Sequence, residues 1–161
     1  MRKRGGKAYF ERVPGAPDPV VVEITHRVRF NEADPMAIAW HGRYPLYFEK
    51  ASEELSRKCG LSYKEYYEAG LRAPVVEFHI DYFQPLFLDE EFLIRASLIW
   101  NEGSRLNTEY QLIKQDGSLA SSGYMVQLFT DHRTGQAHIV SPDLLERCRN
   151  RWKSGEFYNR P

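Results

Sequence analysis

Residues 20–60, VVVEITHRVRFNEADPMAIAWHGRYPLYFEKASEELSRKCG, carry the pattern that decides the fold. Over residues 20–30 apolar and polar side chains alternate, and this period of two predicts a half-buried β-strand. After a turn at residues 31–35, apolar residues recur at steps of three and four, which predicts an amphipathic helix from about His41 to Cys59. A strand followed at once by a long helix is therefore the first unit of the domain.

Further strands are predicted after Pro74, because apolar side chains again alternate with polar ones. The alternating stretches are residues 76–82, 92–100, 106–112 and 122–128. Asp116–Gly117, which separates the last two, is a strong hairpin signal. A short helix within residues 62–70 and an amphipathic helix from Ser141 complete the pattern. One long helix is thus available to cover the apolar face of an antiparallel sheet.

The order β–α–β–β–β–β predicts an α+β domain in which a long antiparallel sheet wraps around one helix. This arrangement matches the hotdog fold, whose sheet normally continues across a dimer. An exposed sheet edge is an independent reason to expect a partner strand, so we expect a homodimer or a homotetramer. The domain is predicted over residues 20–153, between a flexible arm at 1–19, rich in Pro and Gly, and a tail at 154–161.

The composition argues against several classes of partner. The 161 residues contain 22 basic and 22 acidic side chains, so the chain lacks the net positive charge of a dedicated nucleic-acid binder. No run approaches the roughly 18 apolar residues of a membrane helix, and the first residues lack the apolar core of a signal peptide. Cys59 and Cys148 form no C-x-x-C pair and are expected to be reduced and buried. We therefore expect a cytoplasmic protein without nucleic-acid partner or membrane span, in which the basic residues at 147–153 form a solvated helix face.

One compact group of residues, at the turn and the helix start, is the candidate for chemistry. The motifs G-x-S-x-G, G-x-G-x-x-G, P-loop and H-E-x-x-H do not occur, and the histidines have no metal-ligand neighbours in the sequence. Asp34 lies in the turn that leads to His41–Gly42. An acyl-transfer site needs a carboxylate or other base beside the carbonyl carbon and donors aimed at the oxyanion. Free N–H groups at a helix start supply such donors, and Gly42 leaves room for a carbonyl group.

The neighbours of this group leave alternatives open. Trp40 or Tyr44 is an aromatic group that can wall off water, and Glu32 competes with Asp34 for either of its roles. An aspartate before a proline is also common in turns for purely structural reasons. His26 lies on the apolar face of the first strand, where we expect a satisfied core or interface histidine rather than a ligand.

The stretch 28–62 resembles the signature of hotdog acyl-CoA thioesterases of the 4-hydroxybenzoyl-CoA thioesterase type. The matching features are Asp34–Pro35, the stretch Ile38–Ala39–Trp40, His41, Tyr44 and the residues YFEKA at 47–51. The resemblance covers roughly residues 22–145 and implies that Asp34 acts as nucleophile or general base on the thioester. It also implies that a backbone N–H near His41 polarises the carbonyl oxygen, that no metal or prosthetic group takes part, and that the active site lies at a subunit interface.

The resemblance further implies an acyl-CoA substrate whose phosphates meet basic side chains, and Arg105 is our first choice for such a contact. His41 is expected to orient Asp34 or the substrate. Many relatives have Gly where Ala37 stands and Arg where Ser52 stands, although the benzoyl type can carry Ser there. The serine tilts the expectation slightly toward an aryl or bulky acyl group. We thus expect hydrolysis of an aryl, short or medium acyl-CoA to free acid and CoA.

Two alternatives use the same fold. A hotdog hydratase or dehydratase usually pairs its aspartate with a histidine five positions on, whereas Asp34 and His41 are seven apart with no Asn-Pro between them. A non-catalytic acyl-CoA-binding module would use the same residues as a stable helix start, so the sequence leaves this alternative open.

Overall fold

A five-stranded antiparallel sheet and one long helix form the frame of the molecule. The computed structural model describes residues 8–158. The strands are β1 (Val20–Arg27), β2 (Leu71–Arg72), β3 (Val75–Tyr82), β4 (Glu91–Ile99), β5 (Arg105–Lys114), β6 (Leu119–Leu128) and β7 (Thr130–Asp131). The α-helices are α1 (Tyr44–Cys59), α2 (Tyr63–Glu68) and α3 (Asp143–Lys153), with 3-10 turns at Phe30–Glu32, His41–Arg43 and Glu156–Tyr158. The main sheet has the order β1-β4-β5-β6-β3, and β2 pairs with β7.

The strands predicted from alternation all form. The hairpin between β5 and β6 turns at Asp116–Gly117, where Gly117 takes a φ of 81°. Alternation also gives the correct faces, since Ile94, Leu112 and Tyr110 are buried while Arg95 and Gln111 are partly exposed. The predicted antiparallel sheet with one long helix packed against it is therefore confirmed.

Helix α1 packs its apolar stripe against the sheet. Its buried residues are Tyr44, Tyr47, Phe48, Ala51, Leu55 and Cys59. Gly60 ends the helix in the left-handed region, with a φ of 69°, as the sequence predicts. The predicted start at His41 is wrong for the α-helix, which begins at Tyr44 after a 3-10 turn. The reason is Pro45, which has no N–H and whose ring would clash with the carbonyl group four residues earlier.

The ring of Phe48 on α1 packs against Gly123 of β6. The ring of Phe48 stacks on that of Tyr110 in β5, with centroids 4.6 Å apart and planes inclined by 6°. A Cβ atom on Gly123 would lie 2.8 Å from the Phe48 ring and would overlap the backbone oxygen of His79. Glycine is therefore required where helix, β6 and β3 meet.

The N-terminal arm contacts the sheet. The backbone N–H groups of Tyr9 and Phe10 donate to Glu109 at 2.9 and 3.0 Å, and the Tyr9 hydroxyl donates to Asp81 at 2.7 Å. Burial raises the pKa of Tyr9 to about 12. The Pro- and Gly-rich composition gives no indication of these contacts. The first seven residues of the predicted arm and the last three of the predicted tail lie outside the described residues.

Strands β1 and β3 are the two edges of the main sheet. Four apolar side chains of β3 are between 42% and 51% exposed, namely Val75, Val76, Phe78 and Tyr82. An edge strand of this kind is a template for pairing with another chain. The predicted continuation of the sheet across a dimer involves a second chain, so it stays a prediction, and β3 is the edge that it would use.

The last helix is less solvated than its sequence suggests. Arg149 is buried, and its guanidinium group donates to Ser141 and Glu146 and to the carbonyl oxygens of Asn101 and Gly103. The prediction of a solvated basic face is thus wrong for Arg149, because the carbonyl groups of the β4–β5 loop need a donor.

Both cysteines are free and buried, as predicted. The hydrogen bond with Cys148 and burial raise the pKa of the Cys59 thiol. Cys59 is therefore a poor nucleophile, which agrees with the expectation from its position at the end of α1.

Gly123→Ala tests the close approach of α1. We expect the free energy of unfolding to fall by about 2–3 kcal/mol, because the new methyl group meets backbone that cannot shift without breaking the β3–β6 pairing. Urea denaturation followed by circular dichroism measures the change. Gly103→Ala is the matched control, since its Cβ would meet only side-chain atoms at 3.3 Å or more. Equal stability of the two variants would contradict the interpretation.

Candidate active site

Asp34 lies in a tight hairpin between β1 and α1, formed by residues 32–40 and called the Asp34 hairpin below. The Ala37 N–H donates to the Asp34 carbonyl oxygen at 2.9 Å and closes a β-turn with Pro35 at its second position. The stem is held by the Asp34 N–H to the Ile38 oxygen at 2.8 Å and the Trp40 N–H to the Glu32 oxygen at 2.9 Å. The local sequence dictates this turn, since Asp and Pro favour its first two positions.

Only one oxygen atom of the Asp34 carboxylate accepts a hydrogen bond within the hairpin. Its Oδ1 accepts the Met36 N–H at 2.8 Å, and no donor within residues 8–158 forms a hydrogen bond to Oδ2. Asp34 itself is half-buried. One oxygen is thus anchored by the turn, and the other is available to a substrate or a water molecule.

The start of the helix offers donors close to this carboxylate. Within residues 8–158, no acceptor takes the backbone N–H groups of His41 and Gly42, whereas those of Arg43 and Tyr44 are bonded to the preceding turn. Asp34 faces Ile38 across the hairpin, and Ile38 lies three residues before His41. The structure therefore places the carboxylate on the hairpin that leads directly into the two free donors, which precede the positive end of α1.

Trp40 covers the helix start. A Cβ atom on Gly42 would overlap the six-membered ring of the Trp40 indole, so the indole lies directly over this glycine. The Trp40 side chain is 48% exposed and contacts the His41 ring at 5.1 Å between centroids. Gly42 is consequently needed to seat the indole, and the access for a carbonyl group that the sequence suggested stays a prediction.

His41 and Tyr44 differ in exposure. The His41 ring is exposed and forms no hydrogen bond to Asp34 in the described structure, while its carbonyl oxygen accepts the Tyr82 hydroxyl at 2.9 Å. Tyr44 is buried against the rings of Tyr82 and Tyr47, and burial raises its pKa to about 12. The predicted catalytic role of His41 and the substrate contact of Tyr44 stay predictions, and Tyr44 contributes first to the core.

Arg105 is separated from the other predicted site residues. It is the first residue of β5, whereas the Asp34 hairpin follows the end of β1 that pairs near Glu91 and hence near the last residue of β5, Lys114. Nine steps along β5 correspond to about 30 Å. Within one chain, the structure does not bring Arg105 together with Asp34.

Glu32 is not a free acid or base. Its Oε2 accepts the Arg29 N–H at 2.9 Å, His26 Nε2 at 2.9 Å and the Tyr47 hydroxyl at 3.2 Å. Burial by itself would raise the pKa of Glu32, but these hydrogen bonds outweigh it and the pKa lies below its usual value. The sequence left Glu32 in competition with Asp34; the structure commits the Glu32 carboxylate to a buried network. His26, also buried, is the satisfied core histidine that was expected.

A cleft of about 410 Å³ runs along α1, between the helix and the strands of the sheet. It extends from Pro45 to Arg57, about 18 Å along the helix, and so begins within one turn of Gly42. Most of its wall is apolar and aromatic, formed by residues that include Phe48, Tyr66, Phe78, Tyr110 and Met125. Sequence periodicity assigned Phe48 and Tyr110 to the core, and nothing in the sequence indicates that their edges also line a cleft.

Polar groups line the same cleft. Glu49 and Ser52 face it, and Ser52 Oγ forms a hydrogen bond of 2.5 Å with the Tyr110 hydroxyl. Burial raises the pKa of Tyr110 to about 12, so this hydroxyl is neutral at physiological pH. The helical spacing of Glu49 and Ser52 is the only sequence signal that could have grouped them. Within residues 8–158, no group of three His, Cys, Asp or Glu side chains is arranged to hold a metal ion.

Comparisons with known proteins identify the family of this chain. The model of the family "Thioesterase-like superfamily" matches residues 28–148. An Aquifex aeolicus (strain VF5) protein named "Putative esterase" is 30% identical over 123 residues, which are 74% of this chain and 91% of that protein. A Bacillus subtilis (strain 168) protein named "Putative acyl-CoA thioesterase YneP" is 27% identical over 93 residues, 58% of this chain and 67% of that protein.

Comparison with solved structures identifies the fold. The crystal structure of a DHNA-CoA thioesterase from Staphylococcus aureus superposes with a TM-score of 0.72 at 20% identity, covering 88% of this chain and 96% of that one. The family match and the fold thus identify a thioester hydrolase with the hotdog fold, as the sequence predicted. The chain belongs to the thioesterase-like superfamily.

Ala37→Gly tests the strain in the Asp34 hairpin. Ala37 has a φ of 60°, a left-handed conformation that costs a residue with a side chain roughly 1–2 kcal/mol. Glycine relieves this strain but loses more entropy on folding, so we expect a net gain in the free energy of unfolding of about 0.5–1 kcal/mol. Urea denaturation measures it. A loss of stability would show that the turn does not need the left-handed conformation.

Proposed function

We propose that this protein is an acyl-CoA thioesterase in which Asp34 acts on the thioester carbonyl. The observation that carries the proposal is the pairing of a half-engaged Asp34 carboxylate with the free N–H groups of His41 and Gly42. The names of two similar proteins, an acyl-CoA thioesterase and a DHNA-CoA thioesterase, support coenzyme A as the thiol carrier. The 4-hydroxybenzoyl-CoA thioesterase type is the finer assignment that we propose within the superfamily.

The reaction has two routes that Asp34 can serve. In the first, Asp34 attacks the thioester carbon, the carbon–sulfur bond breaks to release the CoA thiolate, and water then hydrolyses the resulting anhydride. In the second, Asp34 takes a proton from a water molecule that attacks the same carbon directly. Both routes give a free acid and CoA and need only water as co-reactant, so we propose no resident metal or cofactor.

The helix start stabilises the negative charge that develops on the carbonyl oxygen. The N–H groups of His41 and Gly42 lie at the positive end of α1 and need no rearrangement to donate. The Trp40 indole excludes water from one side of this point, which strengthens the hydrogen bonds to the oxyanion. His41 is proposed to orient the substrate from its exposed position.

The acyl group is proposed to enter the cleft along α1. Its aromatic wall at Phe48, Tyr110 and Phe78 suits an aryl group or a short to medium acyl chain by shape and polarity. The Ser52–Tyr110 hydroxyl pair offers one polar contact within that wall. The phosphates of CoA are proposed to meet basic side chains at the surface, with Arg105 of a neighbouring subunit retained as one choice.

The assembly is proposed to be a homodimer or homotetramer that pairs β3 edges, and the location is proposed to be the cytoplasm, where the two free thiols stay reduced. No helix within residues 8–158 has the length and apolarity to span a membrane.

Asp34→Asn tests the proposed chemistry. Asparagine preserves the shape and the turn but has neither the charge nor the proton acceptor, so we expect kcat to fall about 100-fold or more. Release of free thiol from aromatic, short and medium acyl-CoA substrates measures turnover. Asp116→Asn, at an exposed turn, is the matched control and should keep full activity. Equal turnover by Asp34→Asn and the native protein would remove Asp34 from the mechanism.

Met125→Trp tests the cleft. A larger side chain at this lining position should raise KM for aryl and medium acyl-CoA substrates roughly tenfold or more, while acetyl-CoA is affected least. Met125→Leu, which conserves volume, serves as the control. If KM changes equally for all chain lengths, the acyl group does not lie in this cleft.

A further inference from the structure

In the hydrogen-bond network of Glu32, His26 and Lys50, the donor and the acceptor of each bond are defined. Lys50 Nζ lies 3.2 Å from His26 Nδ1, and His26 Nε2 lies 2.9 and 3.2 Å from Glu32 Oε2 and Oε1. An ammonium group can only donate, so Nδ1 must accept, and Nε2 must carry the proton that it donates to Glu32. The side chains of His26 and Glu32 are only 7% and 11% exposed, so water cannot easily replace these bonds.

This network joins the Asp34 hairpin to α1. Glu32 forms the base of the hairpin, where its carbonyl oxygen accepts the Trp40 N–H at 2.9 Å. Its side chain accepts the Tyr47 hydroxyl of α1 directly, and it reaches Lys50 of α1 through His26 of β1. Separately, the Arg43 guanidinium group at the helix start donates a hydrogen bond to the Asn31 carbonyl oxygen.

We propose that Glu32 is a positioning residue of the thioester-hydrolysis site, which fixes the Asp34 hairpin relative to the N–H donors at the start of α1 through His26, Lys50 and Tyr47. The inference rests on the proposed function, because it assigns the Asp34 carboxylate and these donors to one reaction. Both groups act on the same carbonyl, so an error of about 1 Å between them costs rate rather than binding.

Glu32→Gln is the variant that weakens the network with the least change in shape. The amide oxygen replaces Oε2 and still accepts the Arg29 N–H, the Tyr47 hydroxyl and His26 Nε2. The amide nitrogen replaces Oε1 and lies 3.2 Å from His26 Nε2, which already carries a proton, so one of the two contacts between His26 and residue 32 becomes a repulsion between two donors. We expect kcat to fall about tenfold to 100-fold and KM to change less than about twofold.

Adding Lys50→Gln to Glu32→Gln should restore part of the activity, which a merely structural role of Glu32 does not predict. Alone, the new amide nitrogen sits on a side chain one bond shorter than that of lysine and donates to Nδ1 less well, so we expect kcat of this variant to lie between the native value and that of Glu32→Gln. In the double variant Glu32→Gln, Lys50→Gln, the position-50 amide oxygen can accept a proton on Nδ1. His26 Nε2 then becomes the acceptor for the position-32 amide, and the polarity of the whole chain of bonds is reversed.

The measurements are kcat and KM for the four proteins, together with Glu54→Gln as an exposed acidic control on α1. The proposal is supported if kcat falls in Glu32→Gln and if kcat of the double variant is at least threefold higher than that of Glu32→Gln. An unchanged kcat in Glu32→Gln, or a double variant no better than this single one, overturns it.

Amide hydrogen exchange separates this inference from the proposed function. The Asp34 and Trp40 N–H groups close the stem of the hairpin, so their exchange should be about tenfold faster in Glu32→Gln and return toward native in the double variant. If the native protein hydrolyses no thioester, the proposed function fails, and the exchange rates alone decide whether Glu32 holds the hairpin. Unchanged exchange would show that it does not.

Discussion

The packing of α1 on the sheet at Phe48 is the contact on which the rest of the structure depends. Its ring stacks on Tyr110 and fills the space above Gly123, where any side chain would meet the backbone of β3. Close packing of this kind tolerates little displacement, because interiors are as dense as organic crystals. It therefore fixes the axis of α1, and with it the place where the helix begins and its free N–H groups emerge.

The chemistry is concentrated where this packing ends. The Asp34 hairpin carries a residue in a strained left-handed conformation, Ala37, and it is tied down by a buried carboxylate, Glu32. Strain and buried charge are both unfavourable for folding unless neighbouring groups compensate for them. Here the compensation comes from specific donors on β1 and α1. The same contacts join the Asp34 hairpin to α1.

Sequence reasoning succeeds where one residue type has one local consequence. Gly60 ends the helix and Asp116–Gly117 turns a hairpin, since each acts through its own backbone. It fails where the contacts of a side chain are made with residues that are distant in the sequence. Arg149 looks like a solvated cation, but it satisfies carbonyl groups in a loop more than 40 residues away. The distance of Arg105 from Asp34 within one chain is likewise set by the strand register and not by any local pattern.

The sequence by itself determined the order of elements, the apolar faces, the helix end and the proximity of Asp34 to the helix start, because all of these follow from periodicity and from neighbours within about ten residues. Only the tertiary structure gave Glu32 and Asp34 different surroundings. It did so by bringing His26 and Tyr47, from two different elements, onto the Glu32 carboxylate while leaving one oxygen of Asp34 open. It also created the cleft along α1, since that space lies between helix and strands whose separation no local pattern encodes.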